Sequence, residues 1–242
     1  MGVANILEAA RQVESIEVIV NVTSDKCYKN NEWLWPYRED EALGGYDPYS
    51  SSKACSEIIS AAYRDSFFTK SGVQLATARA GNVIGGGDWS KNRLIPDILR
   101  SLDANEVVTL RSPSSIRPWQ HVREPVTGYI LLAQKLGENK NIYNEAWNFG
   151  PEENDCWNVE KIATYIYKIS KRGSWIPLDT EQPHEAGLLK LDSSKAKANL
   201  GWSPRWKVSK ALRKTLEWHQ EFLSGTDMYN YSLKQITEYQ TD

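Results

Sequence analysis

The chain has 242 residues, 40% of them hydrophobic and 25% charged, with 29 Lys and Arg against 31 Asp and Glu. That balance excludes a disordered chain and gives no basic excess that would attract nucleic acid or an anionic membrane. No apolar run reaches membrane-spanning length, and Met1-Gly2-Val3 does not open a secretory signal, so no membrane partner is expected.

Val3, Ile6, Leu7, Ala10 and Val13 recur at helical spacing and predict an amphipathic helix over 3–13. Residues 16–22 are apolar and mostly β-branched, the pattern of a strand buried on both faces of a parallel sheet. A long loop follows over 25–45, and its Tyr28, Trp33, Trp35 and Tyr37 favour an ordered, functional loop. Next come a helix over 50–68 and a strand over 73–84, closed by Gly85-Gly86-Gly87, which reads as a turn because no helix follows directly. Leu94, Ile95, Ile98, Leu99 and Leu102 predict a third helix, with a short strand over 107–110. Tyr129, Leu132, Ala133 and Leu136 mark a fourth helix, and 146–149 a strand stopped by Gly150-Pro151. Val159, Ile162, Ala163, Ile166 and Ile169 mark a fifth helix. A strand over 175–178, a short helix over 195–200 stopped by Gly201, and a long helix carrying Leu212, Leu216 and Phe222 complete the pattern. Helix and strand alternate through the first half, which predicts α/β with parallel strands; the second half mixes short strands with helices and predicts a smaller cap.

Cys27, Cys55 and Cys156 are an odd set with no CxxC spacing, and His121, His184 and His219 are scattered. Neither a disulfide framework nor a metal site is expected, and the expected compartment is a reducing cytoplasm. The ten tryptophans suit a core first, and a pocket that stacks bases or sugars second.

Two constellations carry chemistry. In Tyr49-Ser50-Ser51-Ser52-Lys53 the phenol and the ammonium lie on one face of a helix, where the cation favours phenolate and makes the tyrosine a usable base. Alone this spacing is weak, since roughly one such pair arises by chance in a chain with 12 tyrosines, and a solvated helix pair explains it as well. The second is Thr23-Ser24-Asp25-Lys26, directly after the apolar strand. The carboxyl end of a strand is where α/β sheets bind ligands, and a hydroxyl, a carboxyl and an amine there can donate, accept and relay protons. A capped turn is the plainer reading of Ser24 on its own.

The order of these parts resembles the extended short-chain dehydrogenase/reductase superfamily, and within it the CDP-glucose 4,6-dehydratases. The resemblance rests on VTSDKCY (22–28), GGYDPYSSSKAC (44–55), RAGNVIGGGDW (79–89), RLIPD (93–97), IRPWQHV (116–122), WNFGP (147–151), HEAGLLKLD (184–192), LGWSPRW (200–206) and LKQITEY (233–239), which span almost the whole chain. It implies an NAD-dependent enzyme that converts a nucleotide-diphosphate glucose, with CDP-glucose the best fit, to its 4-keto-6-deoxy form. The alternatives kept are an epimerase or reductase of the same superfamily, which needs only Ser24, Tyr49 and Lys53, and a non-catalytic fragment that binds nucleotide sugar. The resemblance implies that Tyr49 takes the proton from the sugar 4-hydroxyl, that Lys53 holds it as phenolate and bonds the nicotinamide ribose, and that Ser24 bonds the same hydroxyl. Asp25 and Lys26 then serve the loss of water, with Asp25 favoured as acid and Lys26 as base, although a lysine must first shed its proton to act so. Val83 joins Tyr49 and Lys53 on the cofactor side. Arg117 is implied as the partner of the substrate pyrophosphate, with Asn82, Arg93, Leu94, Asn148 and His184 as further substrate contacts.

The resemblance also divides the chain. Residues 1–90 are expected to be the C-terminal half of an NAD-binding Rossmann domain with the catalytic residues. Residues 91–242 are expected to be mainly a substrate-binding cap, with a strand and helix at about 125–170 returning to the Rossmann sheet. No G-x-x-G-x-x-G or G-x-G-x-x-G follows a strand. In the family that motif precedes the segment matched by Met1-Gly2-Val3-Ala4-Asn5. The expectation is therefore a chain without the first four strands and the adenine half of the NAD site. Strand 16–22 would then carry an unpaired apolar edge, the chain alone would bind NAD poorly, and the complete enzyme would be a homo-oligomer.

Overall fold

The computed structural model describes residues 1–138, 141–179 and 186–242. In chain order the elements are α1 (Gly2–Arg11), β1 (Val18–Val22), α2 (Pro48–Tyr63), α3 (Thr69–Ser71), β2 (Gln74–Ala80), β3 (Asn82–Ile84), α4 (Leu94–Ala104), β4 (Val108–Leu110), β5 (Ile116–His121), α5 (Arg123–Glu138), β6 (Ala146–Phe149), β7 (Cys156–Asn158), α6 (Val159–Ser170), β8 (Trp175–Pro177), α7 (Val208–Leu223) and α8 (Met228–Thr241). A 3-10 turn spans Asp25–Cys27, and π-helical turns span Arg64–Phe68 and Ala196–Leu200. The chain divides into two units: Met1–Gly81 with Pro125–Gly150 and Leu191–Ser203, and Asn82–Glu124 with Pro151–Lys190 and Pro204–Asp242.

The first unit is built on a parallel sheet in the order β1-β2-β6. Alternate residues of β2 serve opposite faces, as the two-residue period of a strand requires. Ala76 and Ala78 pack with Leu132 and Leu136 of α5, Trp147 and Phe149 of β6, and Trp202. Leu75 packs with Leu7 and Ala10 of α1 and with Phe68. Fully buried side chains of this size each contribute roughly 1.5–3 kcal/mol, so these two clusters hold the sheet between its helices. The same face as Leu75 carries Thr77 and Arg79, two polar side chains that are almost completely buried.

The second unit has a mixed sheet, with β3 parallel and β7 antiparallel to β5, and a small parallel pair of β4 and β8. Its core joins Ile98 and Leu102 of α4, Ile162 and Ile166 of α6, and Leu212 and Leu216 of α7. Glu124 is buried there, where its carboxylate accepts from the backbone N–H of Arg205 (3.0 Å) and Trp206 (2.7 Å) and from the Tyr239 hydroxyl (2.6 Å).

The α/β class and the parallel sheet agree with the sequence, and several details differ. The single strand predicted over 73–84 is two strands in different units, because the chain leaves the first sheet at Gly81. β5 was not foreseen: its polar Arg117, Gln120 and His121 are all buried, so neither alternation nor a continuous apolar run marks it. Nor was α8, whose Tyr229, Leu233 and Ile236 remain exposed and give a weak apolar stripe. Among the described residues no helix is long and apolar enough to cross a membrane, and no cluster of His, Cys, Asp and Glu could hold a metal ion.

Candidate active site

Five of the predicted residues lie in the first unit, on two neighbouring pieces of chain. β1 ends at Val22, and Thr23 extends the ladder by one bond, its N–H donating to the Ala78 carbonyl at 2.9 Å. The chain then folds into the 3-10 turn Asp25–Cys27, capped by Ser24, whose Oγ accepts from the Lys26 N–H at 3.2 Å. The same hydroxyl donates to Asp25 Oδ1 at 3.1 Å. Ser24 and Lys26 are half-buried, while Asp25 is only 3% exposed. Cys27 is fully buried and burial pushes its thiol up to about 12, so it is no nucleophile at neutral pH.

Tyr49 and Lys53 sit in the first turns of α2. Asp47 caps this helix, accepting from the Ser50 N–H at 3.0 Å and the Ser50 hydroxyl at 2.6 Å, and Pro48 fills the first helical position. Those bonds hold the Asp47 carboxyl below its ordinary range, with a further small contribution from the charge of Lys26. Tyr49 is 55% exposed, and the Lys53 ammonium stands 5.7 Å from the centre of its ring.

The long loop brings the two pieces together. Lys29 N–H donates to the Ala42 carbonyl at 2.8 Å, Gly44 N–H donates to the Cys27 carbonyl at 2.9 Å, and Tyr28 bridges Leu43. The loop therefore returns beside the turn it left, and the turn packs against α2. Gly45 passes so close to the start of α2 that a Cβ there would stand 2.3 Å from the Ser51 nitrogen. Inside the loop the rings of Trp35, Trp33, Tyr37 and Tyr28 follow one another at centroid spacings of 4.8, 5.3 and 5.1 Å. The aromatics thus order the loop, as their number suggested.

The remaining predicted residues are dispersed. Asn148, on β6 of the first unit, is fully buried. Its side chain accepts from the Tyr28 hydroxyl at 2.7 Å and donates to the carbonyls of Tyr37 (2.9 Å) and Asp192 (3.1 Å). In the second unit Asn82 and Val83 are half-buried on β3, paired with Trp119 and Gln120. Arg93 is exposed before α4, and Leu94 opens that helix against the core. Arg117 lies inside β5, 4% exposed, and donates to the Ile116 carbonyl at 3.0 Å. His184 lies outside the described residues.

Sequence reasoning passed over three residues next to the turn. Glu57 is buried on α2, four residues after Lys53; Arg79 is buried on β2; and Tyr129 of α5 is pushed up by burial and then by the charge of Asp25. A charged residue in the middle of a strand pattern was the available signal for Arg79, and the i,i+4 repeat from Lys53 the one for Glu57. A cavity of about 540 Å³ in this unit is bordered by Arg38, Glu57, Arg64, Thr77, Arg79 and Lys195, with none of the predicted catalytic residues in its lining.

The sequence matches the family model described as GDP-mannose 4,6 dehydratase over residues 1–215. It is 50% identical over 245 residues to the CDP-glucose 4,6-dehydratase of Salmonella typhimurium, a match covering 99% of this chain and 68% of that protein. A probable dTDP-glucose 4,6-dehydratase of Sinorhizobium fredii is 24% identical, covering 91% of this chain and 64% of that one. Among solved structures, the dTDP-glucose 4,6-dehydratase of Bacillus anthracis in complex with NAD aligns with a TM-score of 0.76 at 20% identity, over 91% of this chain and 67% of that chain. The UDP-glucuronic acid 4-epimerase of Bacillus cereus aligns with a TM-score of 0.78 at 19% identity, over 91% of this chain and 66% of that chain. At such identities the structures establish the fold, while the sequence matches establish kinship: the chain belongs to the GDP-mannose 4,6 dehydratase family, and within it stands with the CDP-glucose 4,6-dehydratases.

Proposed function

We propose that this chain carries the catalytic apparatus for removing water from a nucleotide-diphosphate glucose, with CDP-glucose as the substrate, to leave the 4-keto-6-deoxy sugar. The observation that carries this reading is the packing of the turn bearing Ser24, Asp25 and Lys26 against the helix bearing Tyr49 and Lys53. An epimerase or reductase needs the phenol, the ammonium and one hydroxyl; an acid and an amine beside them are what a dehydration adds. The 50% identity to a CDP-glucose 4,6-dehydratase supports the choice of base.

The donor set fits the nicotinamide side of NAD: a phenol with an ammonium close to its ring, on a helix packed against the turn at the carboxyl end of a parallel strand. Tyr49 and Lys53 are assigned to hold it. When bound, NAD⁺ would supply a hydride acceptor for C4 and, once reduced, a hydride donor for C6.

The protein's own groups handle the protons. Tyr49, with the Lys53 ammonium beside its ring, takes the proton of the 4-hydroxyl, and Ser24 Oγ holds that hydroxyl in place. The resulting C4 ketone acidifies the C5 proton. Lys26 in its neutral form removes that proton, and Asp25 delivers one to the departing 6-hydroxyl, so that water leaves and a C5–C6 double bond forms. Proton return to C5 completes the product. Arg117 is assigned to the substrate pyrophosphate, and Asn82, Arg93, Leu94 and His184 to further contacts with the nucleotide sugar, while Asn148, fully buried and bonded to Tyr28, Tyr37 and Asp192, is assigned to holding the loop.

The test is prolonged incubation of the full chain with CDP-glucose and with NAD⁺ in large excess, to offset the weak NAD binding expected of this chain, followed by mass spectrometry of the sugar nucleotide. The expected product has lost one water, and Asp25→Asn abolishes that loss while sparing oxidation at C4. An epimerised sugar with no water lost, or dehydration at the wild-type rate in Asp25→Asn, would overturn the reading.

A further inference from the structure

The segment Ser24-Asp25-Lys26 is flanked by two residues whose hydroxyls point into the same buried ion pair. On one side, the Thr23 hydroxyl donates to Glu57 Oε1. On the other, Tyr28, which closes the 3-10 turn, accepts from Arg79 Nη1 at 2.8 Å. Glu57 and Arg79 are themselves joined, Nη2 to Oε2 at 2.9 Å, and both are 3% exposed. Thr77 adds a third bond to the carboxylate at 2.6 Å, and the Glu39 carbonyl a further acceptor for Arg79 at 3.0 Å.

Position on the helix gives this pair its meaning. Tyr49, Lys53 and Glu57 follow at intervals of four residues along α2 and share one side of it. A bond from Thr23 to Glu57 is therefore a bond from the residue next to Ser24 to the helix that carries Tyr49 and Lys53. A charged pair is costly to bury and, once buried, rigid, because either partner moving away leaves an uncompensated charge. That makes it a suitable anchor for a turn whose three working side chains must face a phenol on another element.

We propose that the buried Glu57–Arg79 pair is the positioning device of the site, gripping Ser24-Asp25-Lys26 through the hydroxyls of Thr23 and Tyr28 and so fixing it against Tyr49 and Lys53. The pair touches no substrate; it acts through the turn. The proposal rests on the dehydratase reading for its catalytic consequence, and on the hydrogen bonds alone for its structural one.

Thr23→Val removes one grip and leaves both charges paired; Tyr28→Phe removes the other together with the donor to Asn148 Oδ1, so the kinetic readout is taken from Thr23→Val, whereas Glu57→Gln strands Arg79 and risks the fold. Backbone hydrogen exchange in the full chain reads the turn directly through the amides of Lys26, Cys27 and Tyr28. Exchange at these amides rises about tenfold in Thr23→Val and Tyr28→Phe, with β2 unchanged, and returns to wild type in Thr23→Ser. In turnover of CDP-glucose, kcat falls about ten- to a hundredfold while KM stays within about a factor of two, and Thr23→Ser restores kcat. Unchanged exchange at the turn in both variants would overturn the proposal, as would a rise in KM with kcat intact. If the wild type does not dehydrate CDP-glucose, the functional reading falls, and the exchange data still decide whether the pair grips the turn.

Discussion

β1 and β2 lie side by side in one parallel sheet, paired from Val18 opposite Gln74 to Val22 opposite Ala78. β1 reads VIVNV and is only half-buried, with Val22 49% exposed. β2 reads QLATARA and is buried at every position. Burial here runs against hydrophobicity: β2 has a strand on either side, while β1 has only β2 beside it, and β6 at the other end of the sheet is buried because Leu132, Leu136 and Trp202 pack over it. The central strand tolerates its polar residues because each is answered. Gln74 Oε1 accepts from Asn141 N–H and Asn144 Nδ2, both at 2.8 Å, and Thr77 and Arg79 meet Glu57.

The strongest way to break this comparison is to remove one of those answers. Burial opposes the charge on Arg79, and the bond to Glu57 overrides it, so that its pKa is raised. In Arg79→Leu the carboxylate of Glu57 keeps its burial and loses its counter-charge. The expected cost is about 3–5 kcal/mol, the range for breaking a buried pair by deleting one partner. Guanidinium unfolding monitored by circular dichroism measures it. A cost below about 1 kcal/mol would mean that the pair is not desolvated and that β2 is less enclosed than its neighbours imply.

Much of this architecture was legible in the sequence because it follows from periodicity. The helices α1, α4 and α6 carry clear apolar stripes, whereas the start of α2, predicted at residue 50, lies at Pro48 behind its cap Asp47. The proximity of the two candidate catalytic segments was legible only through family resemblance, since it depends on bonds from Lys29 to Ala42 and from Gly44 to Cys27 that no local rule predicts. Burial of β1 on both faces was overestimated for a related reason. An apolar run states that a strand prefers an interior, and it does not state which neighbours the sheet supplies. Glu57 and Arg79 escaped notice because charged residues in element interiors read as surface until their partner is known.

A smaller effect sharpens the contrast at the end of α2 that faces the turn. Asp47 is exposed, yet its bonds to Ser50 lower its pKa. Because the folded value lies below the unfolded one, the stability it adds is present above the ordinary carboxylate range and is lost as pH falls through the folded value. Asp47→Ala is expected to cost about 0.5–1 kcal/mol near neutrality, toward the low end of capping effects because the site is solvated. Thermal unfolding of both proteins across acidic pH should show the gap closing as the wild-type carboxyl protonates. A gap that persists unchanged in acid would locate the effect in the backbone rather than in the carboxylate.

The smallest expected effect on stability is at the edge itself. Val22 stands on β1 with its side chain half in solvent, one residue before the hydroxyl that reaches Glu57. Replacing it by lysine removes little buried area, so Val22→Lys should leave the unfolding free energy within about 0.5 kcal/mol of wild type. The same change places a charge on an apolar edge, where lysine discourages pairing with another strand. Sedimentation velocity over a concentration series is the measurement, and weaker self-association in Val22→Lys than in wild type is the expected outcome. A large loss of stability would show that β1 is enclosed along its whole length, and the difference between the two strands would then have to come from side-chain size rather than from position in the sheet.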